Sequence, residues 1–188
     1  MKIFGFPLCT ITALAMGAVA FLEPTSGFAQ TAAKPEAAVQ SSPKVSRQQH
    51  GDWMLECYDP AVNGMSCQIQ QRVVHNESGQ TIMQITLSHN PKDNADIVQY
   101  VLPLDFLLAP GVGVNVGDYQ AVARVTRCTA QGCIIEGKTE DTFIKAMKAA
   151  TEQGRFIMMS RAGKKVGINF SATGFTKAYN EMKEQNTK

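Results

Sequence analysis

The stretch GDWMLECYDPAVNGMSCQIQQRVV, residues 51–74, sets the interpretation of the whole chain. Residues 53–57 and 67–73 are rich in strand-favouring side chains, and Asn63-Gly64 between them is a turn signal. A hairpin made from these two segments places Cys57 and Cys67 opposite each other at the base of its loop. The stretch therefore predicts antiparallel β-structure with a local disulfide.

A second pair of cysteines, Cys128 and Cys133, flanks a short loop that contains a glycine. The segments on both sides have strand character, so a second hairpin can bring these two sulfur atoms together. Four cysteines allow three pairings, and the sequence alone does not choose among them. The hairpins favour the local pairs Cys57–Cys67 and Cys128–Cys133, each of which would stabilise the fold by about 2–3 kcal/mol.

The N-terminus has the organisation of an export signal. Lys2 supplies the positive charge, and an apolar stretch follows over residues 3–22. Gly27-Phe28-Ala29 then provides small residues at the two positions that a signal peptidase reads. We therefore expect residues 1–29 to be a signal peptide that is cleaved after Ala29.

An uncleaved membrane anchor is the alternative interpretation of the same segment. Its uninterrupted apolar part, residues 8–22, is short for a membrane span. Cleavage would also remove Cys9 and leave an even number of cysteines. We expect a mature protein without a transmembrane segment, located in the periplasm, secreted, or associated with the outer membrane.

The four remaining cysteines could instead form a zinc site through their thiolates. The spacing of Cys57 and Cys67 does not fit a zinc knuckle. An exported chain also enters an oxidising compartment, in which thiols become disulfides. We therefore expect two disulfides and no metal.

Composition divides the mature chain into two parts. Residues 30–50 are rich in Ala, Pro, Ser and Gln without an apolar period, which predicts a disordered linker. Residues 51–188 have the length of one domain. The net charge is only +2 and there is no basic run, so the sequence gives no support to nucleic-acid binding.

Alternation of apolar and polar residues predicts a mainly β domain. Met83, Ile85 and Leu87 alternate with polar residues, and residues 112–116 and 166–170 show the same period. Two further runs, residues 97–102 and 156–159, could be strands buried on both faces. The expected fold is an antiparallel β-sandwich or a partly closed barrel with two short α-helices.

The two helices are predicted from apolar residues at helical spacing. The first would span residues 142–153, with Asp141 as its N-cap and Gly154 ending it. The second would span residues 174–183, with Thr173 as its N-cap. The apolar stripes are expected to pack on the core, and their residues are Phe143, Ile144, Met147, Ala150, Phe175, Ala178, Tyr179 and Met182.

The order of these motifs resembles the invasion-associated locus B (IalB) family of alphaproteobacterial envelope proteins. The matching landmarks are Gly51-Asp52-Trp53, Cys57, Cys67, Leu102-Pro103-Leu104, Gly111-Val112, Val114, Cys128, Gly132-Cys133, Ser171, Gly174-Phe175 and Ala178. The chain departs from the family pattern at Asp105-Phe106 and at Ala172. The resemblance implies an exported, disulfide-bonded, mainly β protein, linked in pathogenic members to host-cell invasion and virulence, with no established catalytic residues.

Several landmarks make physical sense as scaffold. Trp53 and Cys57 are an even number of positions apart on one predicted strand, so both can point to the same face. Tryptophan packed near a disulfide is common in β-sandwich cores. Leu102-Pro103 predicts the end of a strand, because proline cannot donate to a central ladder.

The sequence contains no recognisable catalytic or metal-binding motif. The histidines, His50, His75 and His89, are expected to be solvated surface residues. Thioether sulfur suits copper, but the methionines lie in strand patterns and are expected to fill the core. We therefore predict no catalytic residues, no cofactor and no metal.

A non-enzymatic protein of this kind would act by binding a protein partner, at a host surface or in the envelope. The alternative is a periplasmic accessory or chaperone-like factor for envelope assembly. Loops carry binding more often than strands do, so residues 89–96 and 107–113 are the candidate binding loops. The positions singled out there are His89, Asn90, Pro91, Lys92, Leu107, Pro110 and Gly111.

Overall fold

The structure, a computed structural model, describes residues 42–188. The predicted signal peptide with its cleavage site after Ala29, Cys9, and most of the predicted linker lie outside the described residues. Within residues 42–188, none of the helices combines the length and the apolar character that crossing a membrane would require.

The described part contains two β-sheets and two helices. Its strands are β1 (Lys44–His50), β2 (Trp53–Val62), β3 (Met65–Val74), β4 (Thr81–Asn90), β5 (Ala95–Leu102), β6 (Phe106–Leu107), β7 (Val112–Val116), β8 (Tyr119–Ala123), β9 (Arg127–Thr129), β10 (Gly132–Lys138), β11 (Gly154–Ser160) and β12 (Lys165–Phe170). Its helices are α1 (Asp141–Ala149) and α2 (Phe175–Asn186).

The larger sheet has seven antiparallel strands in the order β1-β2-β3-β4-β5-β10-β9. The first five follow one another as hairpins, and β10 then returns beside β5. Apolar residues on alternate positions form rows across the sheet, such as Ile85, Tyr100 and Ile135 on three neighbouring strands, all buried. One face of this sheet is therefore the wall of the core.

The smaller sheet has the order β12-β11-β7-β8, and β6 pairs with the end of β11. Val114, Phe156 and Ile168 form its inward row. Phe156 meets Tyr100 of the larger sheet at 4.8 Å between ring centroids. Neither sheet closes on itself, and the predicted antiparallel sandwich with two helices is confirmed.

The two runs that could have been buried on both faces are buried on one face only. Residues 97–102 alternate between half-buried and buried positions, and so do residues 156–159. Each run belongs to a sheet whose second face is not covered by another layer, so full burial is not available. Strand β5 does end at Leu102, directly before Pro103, as predicted.

Both helices differ from their predicted bounds. Helix α1 stops at Ala149, because Ala150 adopts an extended backbone and Gly154 opens β11 instead of capping the helix. Helix α2 continues to Asn186. The N-caps are Glu140 and Gly174, without side-chain capping bonds, rather than Asp141 and Thr173. The predicted core stripes are buried, apart from half-buried Ala150.

The predicted linker is too long at its C-terminal end. Residues 44–50 form β1, whose backbone pairs with β2 from Lys44 opposite Asp59 to His50 opposite Trp53. Nearly all of β1 is exposed, and its sequence has no apolar period. The strand is held by its backbone hydrogen bonds to β2 and by the Arg47–Glu56 ion pair at 2.7 Å. Composition alone does not detect an edge strand of this kind.

Both cysteine pairs are disulfide-bonded in the combination that the hairpins favour. Cys57 is joined to Cys67 across β2 and β3, and Cys128 to Cys133 across β9 and β10. Each bridge joins residues directly opposite each other in a hairpin. The disulfides therefore fix two local turns and leave the contact between the sheets to apolar packing.

The end of α2 is tied to the first disulfide hairpin by a buried amide. Asn186 Nδ2 donates to the Cys67 carbonyl at 2.8 Å, and Asn186 Oδ1 accepts from the Cys67 N–H at 2.7 Å. Backbone pairing between β3 and β4 begins at Gln68 and Ser88, and Cys67 precedes it. The Asn186 side chain therefore bonds to the N–H and the carbonyl of Cys67 where β4 offers no partner. A helix residue thus completes the β-ladder.

Candidate binding surface

Half of the first predicted binding loop, residues 89–96, belongs to strands. His89 and Asn90 belong to β4, and the exposed turn between β4 and β5 is limited to residues 91–94, which include Pro91 and Lys92. His89 is 1% exposed, so its assignment as a binding-loop residue is wrong. Strand pairing as far as Asn90 opposite Ala95 places His89 on the inward face.

The burial of His89 is explained by a carboxylate on the neighbouring strand. His89 Nδ1 lies 2.8 Å from Asp96 Oδ1, and the Tyr179 hydroxyl of α2 donates to Asp96 Oδ2 at 2.7 Å. Burial and this hydrogen bond raise the pKa of Tyr179 well above its ordinary value. The three side chains connect the larger sheet to α2, and they are hidden from substrate-sized molecules.

The other two histidines differ from each other. His75 is exposed, as predicted. His50 is buried, and its Nε2 lies 2.9 Å from Glu181 Oε2, close enough for an ion pair but out of line for a hydrogen bond. The expectation that His50 is solvated is therefore wrong, because it lies at the end of β1 where α2 covers the strand.

The second predicted loop does present apolar groups to solvent. Leu107 in β6 is 41% exposed, Leu108 is 48% exposed, and Pro110 is also exposed. Residues 108–111 form a tight turn between β6 and β7, closed by a hydrogen bond from the Gly111 N–H to the Leu108 carbonyl. Gly111 itself is buried against Val122, so it is not a contact residue for a partner.

Strand register shows which side chains lie beside this turn on the smaller sheet. Leu107 is opposite Met159, and Gly113 is opposite both Val122 and Ile157, so these side chains share the outward face of the smaller sheet. Val122, on β8, is 67% exposed. Ile157 and Met159 are half-buried. We define the apolar patch as Leu107, Leu108, Val122, Ile157 and Met159.

The same face is positively charged. Arg155 and Lys165 point outward with the patch by strand register, and the guanidinium of Arg155 lies over Gly167. The other outward positions of β7, β8, β11 and β12 are glycine or uncharged amides, namely Gly113, Asn115, Gln120, Gly167 and Asn169. Arg124 follows β8 and is also exposed. The patch therefore lies on a face where these strands place cationic side chains and no carboxylates.

The comparisons with known proteins agree with this architecture. The family model described as invasion associated locus B (IalB) protein matches residues 53–183. The chain belongs to the IalB family. The matched range contains both disulfides, both helices apart from the end of α2, and the apolar patch. The resemblance seen in the ordered motifs is confirmed.

A solved IalB-family structure has the same fold. The crystal structure of invasion associated protein B from Bartonella henselae matches with a TM-score of 0.65 and 18% sequence identity, over 76% of this chain and 99% of that one. At that identity the likeness shows the fold alone. No individually curated protein sequence matches the chain.

A cleft of this IalB-family chain lies between the β7–β8 turn and α1. It has a volume of about 770 Å³, and its lining includes Ala146 and Ala149 as well as the carboxylates of Asp118, Glu140 and Glu152. Tyr119 closes one side and packs edge-on against Phe143. Burial, with a smaller contribution from nearby Glu140, raises the pKa of Tyr119.

The outward face of the larger sheet is polar and connected. Glu56 accepts from Arg47 at 2.7 Å and from the Tyr58 hydroxyl at 3.0 Å, and Gln68 donates to both Glu56 and Tyr58. Burial opposes ionisation of Glu56, but these hydrogen bonds outweigh it and hold the pKa of the carboxyl below its ordinary value. The network stabilises the edge of the sheet.

In the part of the chain that the structure describes, no three His, Cys, Asp or Glu residues are grouped as metal ligands would be. Sequence reasoning missed three patch residues, Val122, Ile157 and Met159. It included Leu108 in the predicted loop 107–113 but did not single it out. Val122 lies in β8, and Ile157 and Met159 lie in β11. Only strand register shows which face of the sheet these three residues occupy. Leu107 and Pro110 are the predicted positions that the structure brings to this surface.

Proposed function

We propose that this IalB-family protein is exported to the cell envelope and acts there, or after secretion, by binding a protein partner during host-cell invasion. The observation that supports this most directly is the apolar patch. Single exposed apolar residues are ordinary on protein surfaces, but a contiguous exposed group marks an interaction site. Here four of the five residues belong to paired strands, so the shape of most of the patch is set before a partner arrives.

The proposal includes the absence of enzymatic activity. His89 and Asp96 are the pair that most resembles a catalytic acid and base, and both are covered by α2 through Tyr179. The cysteines are joined in disulfides and are not free nucleophiles. Export is supported by the same disulfides, because such bonds persist in oxidising compartments.

Invasion of host cells by the source bacterium tests the proposal. Cells lacking the gene would be complemented with the wild-type chain, with a Leu107→Ser/Val122→Ser double variant, or with Val74→Ser. Val74 is the matched control, since it is 47% exposed at the end of β3, outside the patch. We expect the double variant to invade as poorly as cells lacking the gene and Val74→Ser to restore entry.

Location and folding must be followed in the same experiment. Equal amounts of each variant in the envelope fraction, with equal melting temperatures, exclude a loss through misfolding. Wild-type invasion by the double variant at normal protein levels would contradict the proposal. Full complementation only of a periplasmic assembly defect, with no effect on entry, would support an accessory envelope role instead.

A further inference from the structure

Strand β8 ends the smaller sheet and carries Val122, the most exposed residue of the apolar patch. Among the described strands, β8 pairs only with β7. A strand at the end of a sheet presents main-chain donors and acceptors on its free side, which can accept another strand. The patch therefore borders an open β-edge.

The hairpin register shows which main-chain groups are free. Val116 and Tyr119 close a loop of two residues, Gly117-Asp118, and the pair closing such a loop exchanges both of its hydrogen bonds. The pairing then alternates along the hairpin, so Ala121 and Ala123 also bond to β7. Gln120 and Val122 consequently direct their N–H and carbonyl groups to the free side.

The side chains at this edge indicate the chemistry of the incoming strand. A residue placed opposite Val122 would extend the apolar patch on the outward face. A residue two positions away on the same face would lie towards exposed Arg124, where a carboxylate would meet a cation and a basic residue would be repelled. The corresponding position on the other side would lie beside Gln120, which lines a cleft together with Asp118, Glu140 and Glu152, so an uncharged residue fits better there.

We propose that the free edge of β8 binds an extended segment of the partner protein as an added strand. The proposal rests on the function proposed above and gives that partner a chemistry: an apolar residue opposite Val122 and an Asp or Glu opposite Arg124. Main-chain hydrogen bonds to Gln120 and Val122 would supply affinity, and the patch and Arg124 would supply selectivity.

A model peptide tests this with the purified, oxidised protein. The probe is fluorescein-labelled Thr-Glu-Thr-Val-Thr-Thr-Thr, and its binding is measured by fluorescence anisotropy. In an added antiparallel strand with Val opposite Val122, Glu lies opposite Arg124, and both residues direct their N–H groups to β8. We expect N-methylation of the Glu and Val residues to weaken binding by about tenfold or more, and N-methylation of the two Thr residues next to Val to leave it unchanged. Replacing Glu by Lys should also weaken binding.

A protein variant gives the complementary measurement. Gln120→Pro removes a donor on the free side of β8 and leaves the bonds to β7 in place, the setting in which an edge strand tolerates proline. We expect it to lose peptide binding with its melting temperature nearly unchanged. If this variant does not fold, the N-methylated peptides still decide the question.

Equal binding of the two N-methylated peptides, or no binding of the unmodified probe at about 1 mM, would overturn the proposal. So would binding to vesicles containing phosphatidylglycerol without peptide binding, or a stable dimer of the protein that occupies β8. Each of these results leaves the invasion experiment standing, because a face can bind a partner without adding a strand. Loss of edge binding and loss of entry are therefore separate outcomes.

Discussion

Gly51 and Gly174 lie back to back, although more than a hundred residues separate them. A Cβ atom added to Gly174 would collide with the His50 carbonyl, and one added to Gly51 would lie 2.6 Å from the Thr173 carbonyl oxygen. The Asp52 N–H donates to that same Thr173 carbonyl at 3.0 Å. Two motifs that carry the family resemblance are thus two sides of one contact, between the β1–β2 turn and the start of α2.

Gly174→Ala should destabilise the fold by about 2–5 kcal/mol, since it combines a left-handed backbone with a main-chain collision. Gly174 has φ +86°. Gly79→Ala is the matched control, because Gly79 has φ +66° and open space around it. We expect the control to lose only about 1 kcal/mol. Equal losses in urea unfolding would show that the close approach to His50 does not matter.

Trp53→Ala should destabilise the protein by about 3–5 kcal/mol, as for a large buried aromatic residue. Trp53 is 1% exposed, packs edge-on against Phe175 at 5.1 Å, and donates from Nε1 to the Ser171 carbonyl at 2.9 Å. Val62→Ala, at an exposed position of the same strand, should change stability by less than about 0.5 kcal/mol. A solvent-quenched tryptophan emission in the folded protein would contradict the burial of Trp53.

Asn186→Ala should cost about 1–3 kcal/mol, because it leaves the buried N–H of Cys67 without a partner. Glu184→Ala on the exposed side of α2 is the control, with an expected change below about 0.5 kcal/mol. Thermal unfolding of the oxidised proteins would measure both. A neutral Asn186→Ala would mean that water replaces the amide.

Glu56→Gln should destabilise the protein by about 1–2 kcal/mol at pH 7. The folded-state pKa of Glu56 is lowered, so its contribution is present above the ordinary carboxyl pKa and is lost as pH falls through the lowered value. The difference between the two proteins should therefore shrink below about pH 4. Glu136→Gln, whose carboxyl is exposed, should show a much smaller effect. A difference that is independent of pH would exclude ionisation as the cause.

Deletion of residues 30–41 should leave the melting temperature unchanged, since their composition offers no core. Deletion of residues 30–50 should lower it clearly, because it also removes β1, buried His50, and the Arg47 partner of Glu56. Parallel melting curves of the mature chain and both deletions would separate the two segments. Equal melting temperatures for all three would show that β1 contributes nothing.

Local patterns predicted the strands because the alternation of apolar and polar residues is visible within each strand by itself. Met83, Ile85 and Leu87 occupy alternate positions of a strand with one buried face. Both disulfides close hairpins that the turn residues between the cysteines predict. Strand β1 was missed since an exposed edge strand needs no apolar residues. The end of α1 was misplaced because Gly154 suits a strand start as well as a helix end.

The candidate binding surface was less predictable because it depends on long-range register. The sequence predicts His89 as a loop residue, because nothing local shows that Asp96, which accepts from Tyr179, pairs with a buried imidazole. Val122 and Ile157 look like core residues in a strand pattern. Only the placement of β7 between β8 and β11 shows that they share a solvent-facing side.

The hydrogen bond from Trp53 to Ser171 spans 118 residues, so the first part of the domain is completed by contacts with its last part. During synthesis, β2 and β3 exist long before Phe175, which covers their apolar side. Until α2 has been synthesised, the core is incomplete, because contacts between residues far apart in sequence are missing. Compact folding of the domain is therefore delayed. Such a delay would favour the export proposed above, because an exported chain crosses the membrane before it folds.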